Sequence, residues 1–180
     1  MCLWLNKPEI SGVRMSLKIF PSGEAEWREN RFSCSIGKGR IAKEKVEGDN
    51  KTPAGSFPLR KLYFRSDRVP KPRTVLPTIA LKPLDGWCSD PRDRNYNQYI
   101  ELPSPAEHER LWRSDNLYDL IGVIGYNDTS VIPGAGSAIF LHIATNNYSP
   151  TKGCIALSKG DLSKIFLEWK AKDQIIISPE

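Results

Sequence analysis

His142 and Cys154 lie twelve residues apart within the stretch 139–157, IFLHIATNNYSPTKGCIAL. The histidine closes an apolar run and the cysteine opens a second one. A thiol is an effective nucleophile only as thiolate, and an imidazole placed to take its proton is a common protein means to that end. Gly153, just before the cysteine, carries no side chain to block backbone amides from facing an oxyanion that develops beside the sulfur. The chemistry such a couple allows is acyl transfer through a thioester. Taken singly, each residue has a plainer reading: a satisfied core histidine, and a small buried hydrophobe.

Alternation places these residues on elements. Ile139, Leu141 and Ile143 share one face of a strand, and Phe140, His142 and Ala144 share the other, so His142 sits near the strand end where it can point into a cleft. TNNYSPTKG is then a connecting loop and CIAL a short apolar continuation. Ser158 with Asp161 caps a last amphipathic helix bearing Leu162, Ile165, Phe166 and Trp169 on one stripe. That helix starts too far beyond Cys154 for its dipole to activate the thiol, which leaves His142 as the base.

The rest of the chain reads as scaffold. Residues 15–36 form a meander of short strands, 57–64 and 78–81 are further strands, 117–126 (LYDLIGVIGY) is a central strand, and DQIIIS closes the sheet. Ser104, Pro105 and Glu107 predict a helix to about Ser114, with His108 exposed in its first turn. The segment 85–103 is a long polar loop whose Trp87, Tyr96 and Tyr99 either wall a substrate groove or pin the loop to the core. The fold class is mainly β with two or three short helices.

At 180 residues the chain suits one domain, assigned to 15–180, with 1–14 as an N-terminal extension. Hydrophobic residues at 39% and charged residues at 26% mark a folding chain rather than a disordered one. The net charge of +5 is spread along the sequence, so it favours anionic partners without marking a nucleic-acid site. Cys2, Cys34, Cys88 and Cys154 show neither a CxxC pair nor the spacing of a disulfide framework, and with only His108 and His142 beside them no metal and no cofactor is expected. A disulfide between Cys88 and Cys154 would silence the thiol. No stretch is apolar for long enough to span a membrane, and Asn6, Lys7, Pro8 and Glu9 interrupt the only N-terminal apolar run, so no secretory signal is read.

The chain resembles the L,D-transpeptidase catalytic domain of the YkuD type. One part of the match is His142 followed by Thr151-Lys152-Gly153-Cys154-Ile155. The other is an upstream GD..TP.G.F element, present as Gly48-Asp49 and Thr52-Pro53 with Gly55 and Phe57. The resemblance implies a β-sandwich or barrel. It also implies a cysteine enzyme that attacks a meso-diaminopimelate carbonyl in peptidoglycan tetrapeptide stems, releases D-alanine, and passes the acyl group to an amine or to water. It makes Cys154 the nucleophile and His142 the base, with amides near Gly153 as the oxyanion hole and a carbonyl next to His142 holding the ring. Thr151, Lys152, Arg94, Tyr96, Trp87 and Tyr126 are the candidate substrate contacts, and the bacterial envelope is the implied location. Lys152 stands where the family often has a second histidine, and Ala156 where it often has arginine or asparagine. These departures leave open a hydrolase (carboxypeptidase or endopeptidase) on the same site, or a peptidoglycan-binding protein without catalysis. Oligomeric state is not legible.

Overall fold

The computed structural model describes residues 15–179. The extension assigned to 1–14 lies outside the described residues. The expectation of a mainly β chain holds, with one helix among the described residues rather than two or three.

A meander opens the fold: β1 (Ser16–Phe20), β2 (Glu24–Trp27) and β3 (Asn30–Ser35) pair antiparallel in sequence order. Two short pieces, β4 (Ile41–Ala42) and β5 (Thr52–Pro53), pair in parallel and so close the intervening loop 43–51 at its base. β6 (Gly55–Phe57), β7 (Leu59–Phe64) and β8 (Thr78–Ala80) follow. β9 (Asp85–Cys88), β10 (Tyr99–Glu101) and β11 (His108–Arg110) make a separate three-stranded antiparallel sheet with β9 in the middle. β12 (Leu120–Ile124), β13 (Phe140–Ile143), β14 (Ile155–Leu157), α1 (Lys159–Glu168) and β15 (Gln174–Ile177) complete the chain. The main sheet has ten strands in the order β6-β15-β1-β2-β3-β14-β13-β12-β7-β8.

Two sequence expectations are corrected. The segment 85–103 holds β9 and β10 rather than being all loop. The helix expected from Ser104 to about Ser114 is absent, and β11 takes its place, so His108 is half-buried in a strand. Ser104 Oγ does accept a backbone amide, from Ala106 at 3.2 Å, but as a local turn. A cap is worth about 1 kcal/mol. The ladder of His108, Glu109 and Arg110 against Cys88, Trp87 and Gly86 outweighs it.

Alternation along β13 was read correctly. Ile139, Leu141 and Ile143 join the larger core, which also takes Leu17, Ile19 and Trp27 from the meander and Leu162, Ile165 and Phe166 from α1. Ser158 caps α1 as expected, its Oγ accepting from the Asp161 amide at 3.1 Å. Phe140 faces the other way, into a second cluster with Trp87, Leu111, Tyr118, Ile121 and Cys154. The central sheet therefore has one face packed by the helix and one that meets the small sheet.

Candidate active site

β13 and β14 run parallel, with Leu141 opposite Ile155 and His142 opposite Ala156. That register projects Cys154, immediately before β14, onto the same face as Phe140, His142 and Ala156. The thiol sits one pleat from the imidazole, a diagonal of roughly 7 Å between β-carbons. Both residues line one cleft of about 620 Å³, a volume that suits a small ligand or a peptide end.

Each of the two side chains is held by backbone. His142 Nδ1 lies 2.9 Å from the Ile143 carbonyl. A carbonyl only accepts, so Nδ1 carries the ring proton and Nε2 keeps its lone pair for use as a base. The Cys154 thiol donates to the Ala138 carbonyl at 3.1 Å, while the Phe140 amide donates to Sγ at 3.3 Å. Burial lowers the His142 pKa to about 4 and pushes the Cys154 thiol up to about 12, the latter helped by the Glu109 charge. The resting couple is thus a neutral thiol beside a neutral imidazole. It fits general-base removal of the proton as the new bond forms rather than a standing thiolate–imidazolium pair.

Tyr118 packs on this couple. Its ring meets the His142 ring edge to face at 5.2 Å and lies under the Arg113 guanidinium at 5.0 Å. Its hydroxyl donates to the Glu109 carboxylate. Burial raises both the Glu109 carboxyl and the Tyr118 phenol. Sequence reasoning did not find Tyr118, Glu109 or Arg113. Glu109 and Arg113 were hidden by the helix expected there, and Tyr118 by its place near the start of an apolar run.

The upstream GD..TP element proves to be part of the same site. Thr52 Oγ1 accepts from the Gly37 amide at 2.8 Å and donates to the Gly153 carbonyl at 2.9 Å, across 101 residues of sequence. Gly153 has φ +133°, and a β-carbon there would stand 2.8 Å from the Lys51 carbonyl oxygen, so only glycine fits. Its amide donates to Thr151 Oγ1 at 3.1 Å, and Thr151 Oγ1 in turn donates to the Cys154 carbonyl at 2.6 Å. Asp49 ties the loop before Thr52, accepting from the Val46 and Lys51 amides at 2.9 and 2.8 Å and from Lys45 Nζ at 2.7 Å.

Of the candidate substrate contacts, Thr151 and Lys152 line the cleft with Cys154 and His142. Trp87 and Tyr126 line another cavity, of about 320 Å³, together with Ile139 and Phe140. Tyr96 is buried and acts as a pin, donating to the Glu47 carboxylate and accepting the Gly136 amide at 2.9 Å. Arg94 is exposed and outside the residues that line the cleft. The cleft's other cations are Lys45, Arg110 and Arg113. Cys88 lies in β9 and is a free thiol, as are Cys34 and Cys154. No cluster of three or more His, Cys, Asp or Glu that would hold a metal occurs among the described residues, and no helix there is long and apolar enough to cross a membrane.

Comparison with known families and structures gives one strong match. The sequence profile of the L,D-transpeptidase catalytic domain, YkuD, covers residues 13–177. No curated protein matches. Among solved structures, the chain is similar to L,D-transpeptidase 1 of Mycobacterium tuberculosis, at 14% identity over 91% of this chain and 61% of that one, TM-score 0.41. It is similar to an L,D-transpeptidase from Mycobacterium smegmatis at 13% identity, over 92% of this chain and 59% of that one, TM-score 0.43. The helical cell shape determining protein Pgp2 of Campylobacter jejuni matches at 13% identity over 93% of this chain and 48% of that one, TM-score 0.47. The chain thus spans about half to three-fifths of the length of these structures.

Proposed function

This chain belongs to the YkuD family of L,D-transpeptidase catalytic domains, and from that premise we propose that it transfers acyl groups on peptidoglycan stem peptides through a Cys154 thioester. The observation that carries the reading is the site itself. A thiol and an imidazole with a free Nε2 share one face of adjacent parallel strands inside one cleft.

The steps follow from that geometry. As Sγ attacks the carbonyl of the third stem residue, the thiol proton passes to His142 Nε2, and the carbonyl oxygen becomes an oxyanion. Backbone amides beside the sulfur are the natural donors to it. Collapse breaks the amide bond, and the imidazolium returns its proton to the departing nitrogen of D-alanine. The thioester then passes to an amine, giving a cross-link, or to water. Neutral His142 accepts the incoming proton, and the thiol is regenerated. Lys152 at the cleft wall, with Arg110 and Arg113, supplies cationic contacts for the carboxylates of a stem peptide.

Purified protein incubated with tetrapeptide muropeptides, followed by mass spectrometry, tests the reading. D-alanine release by the wild type and its loss in Cys154→Ala are expected, and product masses separate cross-linking from hydrolysis. Equal behaviour of wild type and Cys154→Ala overturns it. A protein that binds sacculi with Cys154 inert to iodoacetamide is a binding protein instead.

A further inference from the structure

Lys45 has no role in the reaction outlined above, yet the fold goes to some length to place it. Its side chain is 3% exposed, with Nζ 2.7 Å from Asp49 Oδ1. A lysine withdrawn from water this far is unfavourable unless its charge is matched or used. The stem runs against Gly136, where φ is +105° and a β-carbon would come within 2.7, 3.0 and 3.1 Å of Lys45 Cε, Cδ and Cγ. At Gly153, with φ +133°, a β-carbon would stand 3.6 Å from Nζ. Two glycines in backbone conformations that side chains rarely adopt therefore bound the lysine, one along its stem and one at its tip. The tip faces the residue that precedes the nucleophile.

Asp49 does not cancel this charge at the sulfur. The carboxylate also accepts from the Val46 and Lys51 amides, so it serves three donors, while Lys45 lines the cleft. The other groups around Cys154 are the Phe140 amide, which favours a thiolate, the Glu109 carboxylate, which opposes it, the Tyr118 hydroxyl, whose proton is committed to Glu109, and neutral His142, with Arg110, Arg113 and Lys152 elsewhere on the cleft wall.

We propose that the Lys45 ammonium, seated between Gly136 and Gly153, is a fixed positive charge of the site that acts on the nucleophile: it stabilises the Cys154 thiolate and the oxyanion that forms beside it. Lys45 transfers no proton in this scheme. The thiol proton goes to His142, and the negative charge left on sulfur develops one residue beyond the Gly153 position that the ammonium abuts. The oxyanion half of the proposal rests on the acyl-transfer reading above; the thiolate half does not. The charge of Lys45 lowers the thiol pKa in the folded protein, against the larger effect of burial.

The test is iodoacetamide alkylation of the full chain from mildly acidic to alkaline pH, with Cys154 followed by peptide mapping so that the other thiols do not interfere. Lys45→Met is expected to slow Cys154 alkylation at neutral pH about tenfold or more and to move its midpoint upward. Lys45→Arg keeps the charge and is expected to stay within about threefold of wild type. Asp49→Asn breaks the same ion pair but keeps the cation, so it is expected to alkylate at least as fast as wild type. A purely structural pair predicts the opposite, with Asp49→Asn slowed like Lys45→Met. That result overturns the proposal, as does a Lys45→Met protein with a wild-type rate and midpoint. If Lys45→Met fails to fold, by circular dichroism, Asp49→Asn and Lys45→Arg decide the matter. Absence of D-alanine release by the wild type would refute the acyl-transfer reading and leave the alkylation result standing.

Discussion

The two faces of the central sheet bury cysteines to a similar degree and surround them differently. Cys34, on β3, packs in the larger core with Leu17, Trp27 and Phe166, and burial pushes its thiol up to about 12. Cys154, on the other face, is also pushed up to about 12 by burial. What separates them is the surroundings. Cys154 receives the Phe140 amide, has Tyr118 and His142 beside it, and lines a cleft, whereas the Cys34 face is filled by α1. Burial alone makes a thiol inert; donors, a base and an opening for substrate make a buried thiol usable. The comparison also explains the economy of the fold. One face is sealed for stability, so the other can leave a cavity over its most polar residues.

The largest expected effect is on the open face. His142→Gln is expected to lower D-alanine release by about 10² to 10⁴-fold, the usual contribution of a positioned base, with little change in fold. The same variant tests the pH behaviour of stability. The folded-state pKa of His142 is depressed to about 4 from an ordinary 6.5. Between those values the unfolded chain binds a proton that the folded chain does not, so stability falls as pH drops through that window and levels off below it. Urea unfolding at several pH values is expected to show this loss, about 3 kcal/mol, in the wild type, and a smaller one in His142→Gln. Equal acid sensitivity of the two proteins would mean that His142 is not buried in its neutral form.

Phe166→Ala breaks the sealed face instead. The ring is 1% exposed in the larger core, and it comes so close to the sheet that a β-carbon on Gly122 would lie 2.9 Å from it. Loss of a buried phenyl group costs about 3 to 5 kcal/mol. The melting temperature is expected to fall by many degrees, while activity per folded molecule, measured well below the new transition, stays near wild type. A large loss of turnover in protein shown to be folded would erase the division of labour between the faces.

Thr52→Val touches the link between the two faces' connections. The substitution keeps the shape and removes the hydroxyl, so the buried Gly37 amide and Gly153 carbonyl each lose a partner, at about 1 to 3 kcal/mol. Because Gly153 carries Cys154, turnover is expected to fall further than stability does, up to about 10²-fold for a displaced nucleophile. Parallel measurement of D-alanine release and of the melting temperature checks the split. A stability loss with unchanged turnover would reduce Thr52 to a structural bond.

The strands of the sealed face were legible because alternation there is undisturbed. Leu17 and Ile19, Ile139 to Ile143, and the stripe on α1 each bury what period alone predicts. His142 and Cys154 were legible as a candidate couple through their motif, and the upstream GD..TP element was visible as pattern but not as contact. Nothing in the sequence says that Thr52 bonds to the Gly153 carbonyl, since that contact exists only once β4 and β5 close their loop. The small sheet was missed for a related reason. Its strands are three or four residues long, and the cap signal at Ser104 is local, whereas the pairing that overrides it is tertiary. Tyr118, Glu109 and Lys45 were missed with it, as their roles depend on which elements meet rather than on spacing.

The smallest expected effect is that of Arg94→Ala. Arg94 was among the candidate substrate contacts of the sequence, in a chain with Ala156 where the family often has arginine or asparagine. The structure puts Ala156 at the cleft beside His142, and Arg94 on the exposed part of the segment between β9 and β10. Arg110, Arg113 and Lys152 already bring positive charge to the cleft. A solvated arginine outside it acts on substrate only through screened, long-range attraction, which falls off over roughly 8 to 10 Å at ordinary ionic strength. The kcat/KM for D-alanine release by Arg94→Ala is therefore expected to stay within about twofold of wild type, with any change confined to low salt. Arg113→Ala, measured alongside, is expected to raise KM clearly. A KM penalty for Arg94→Ala that persists at high salt would mean that the segment between β9 and β10 closes over bound substrate, and would extend the open face to include the small sheet's outer loop.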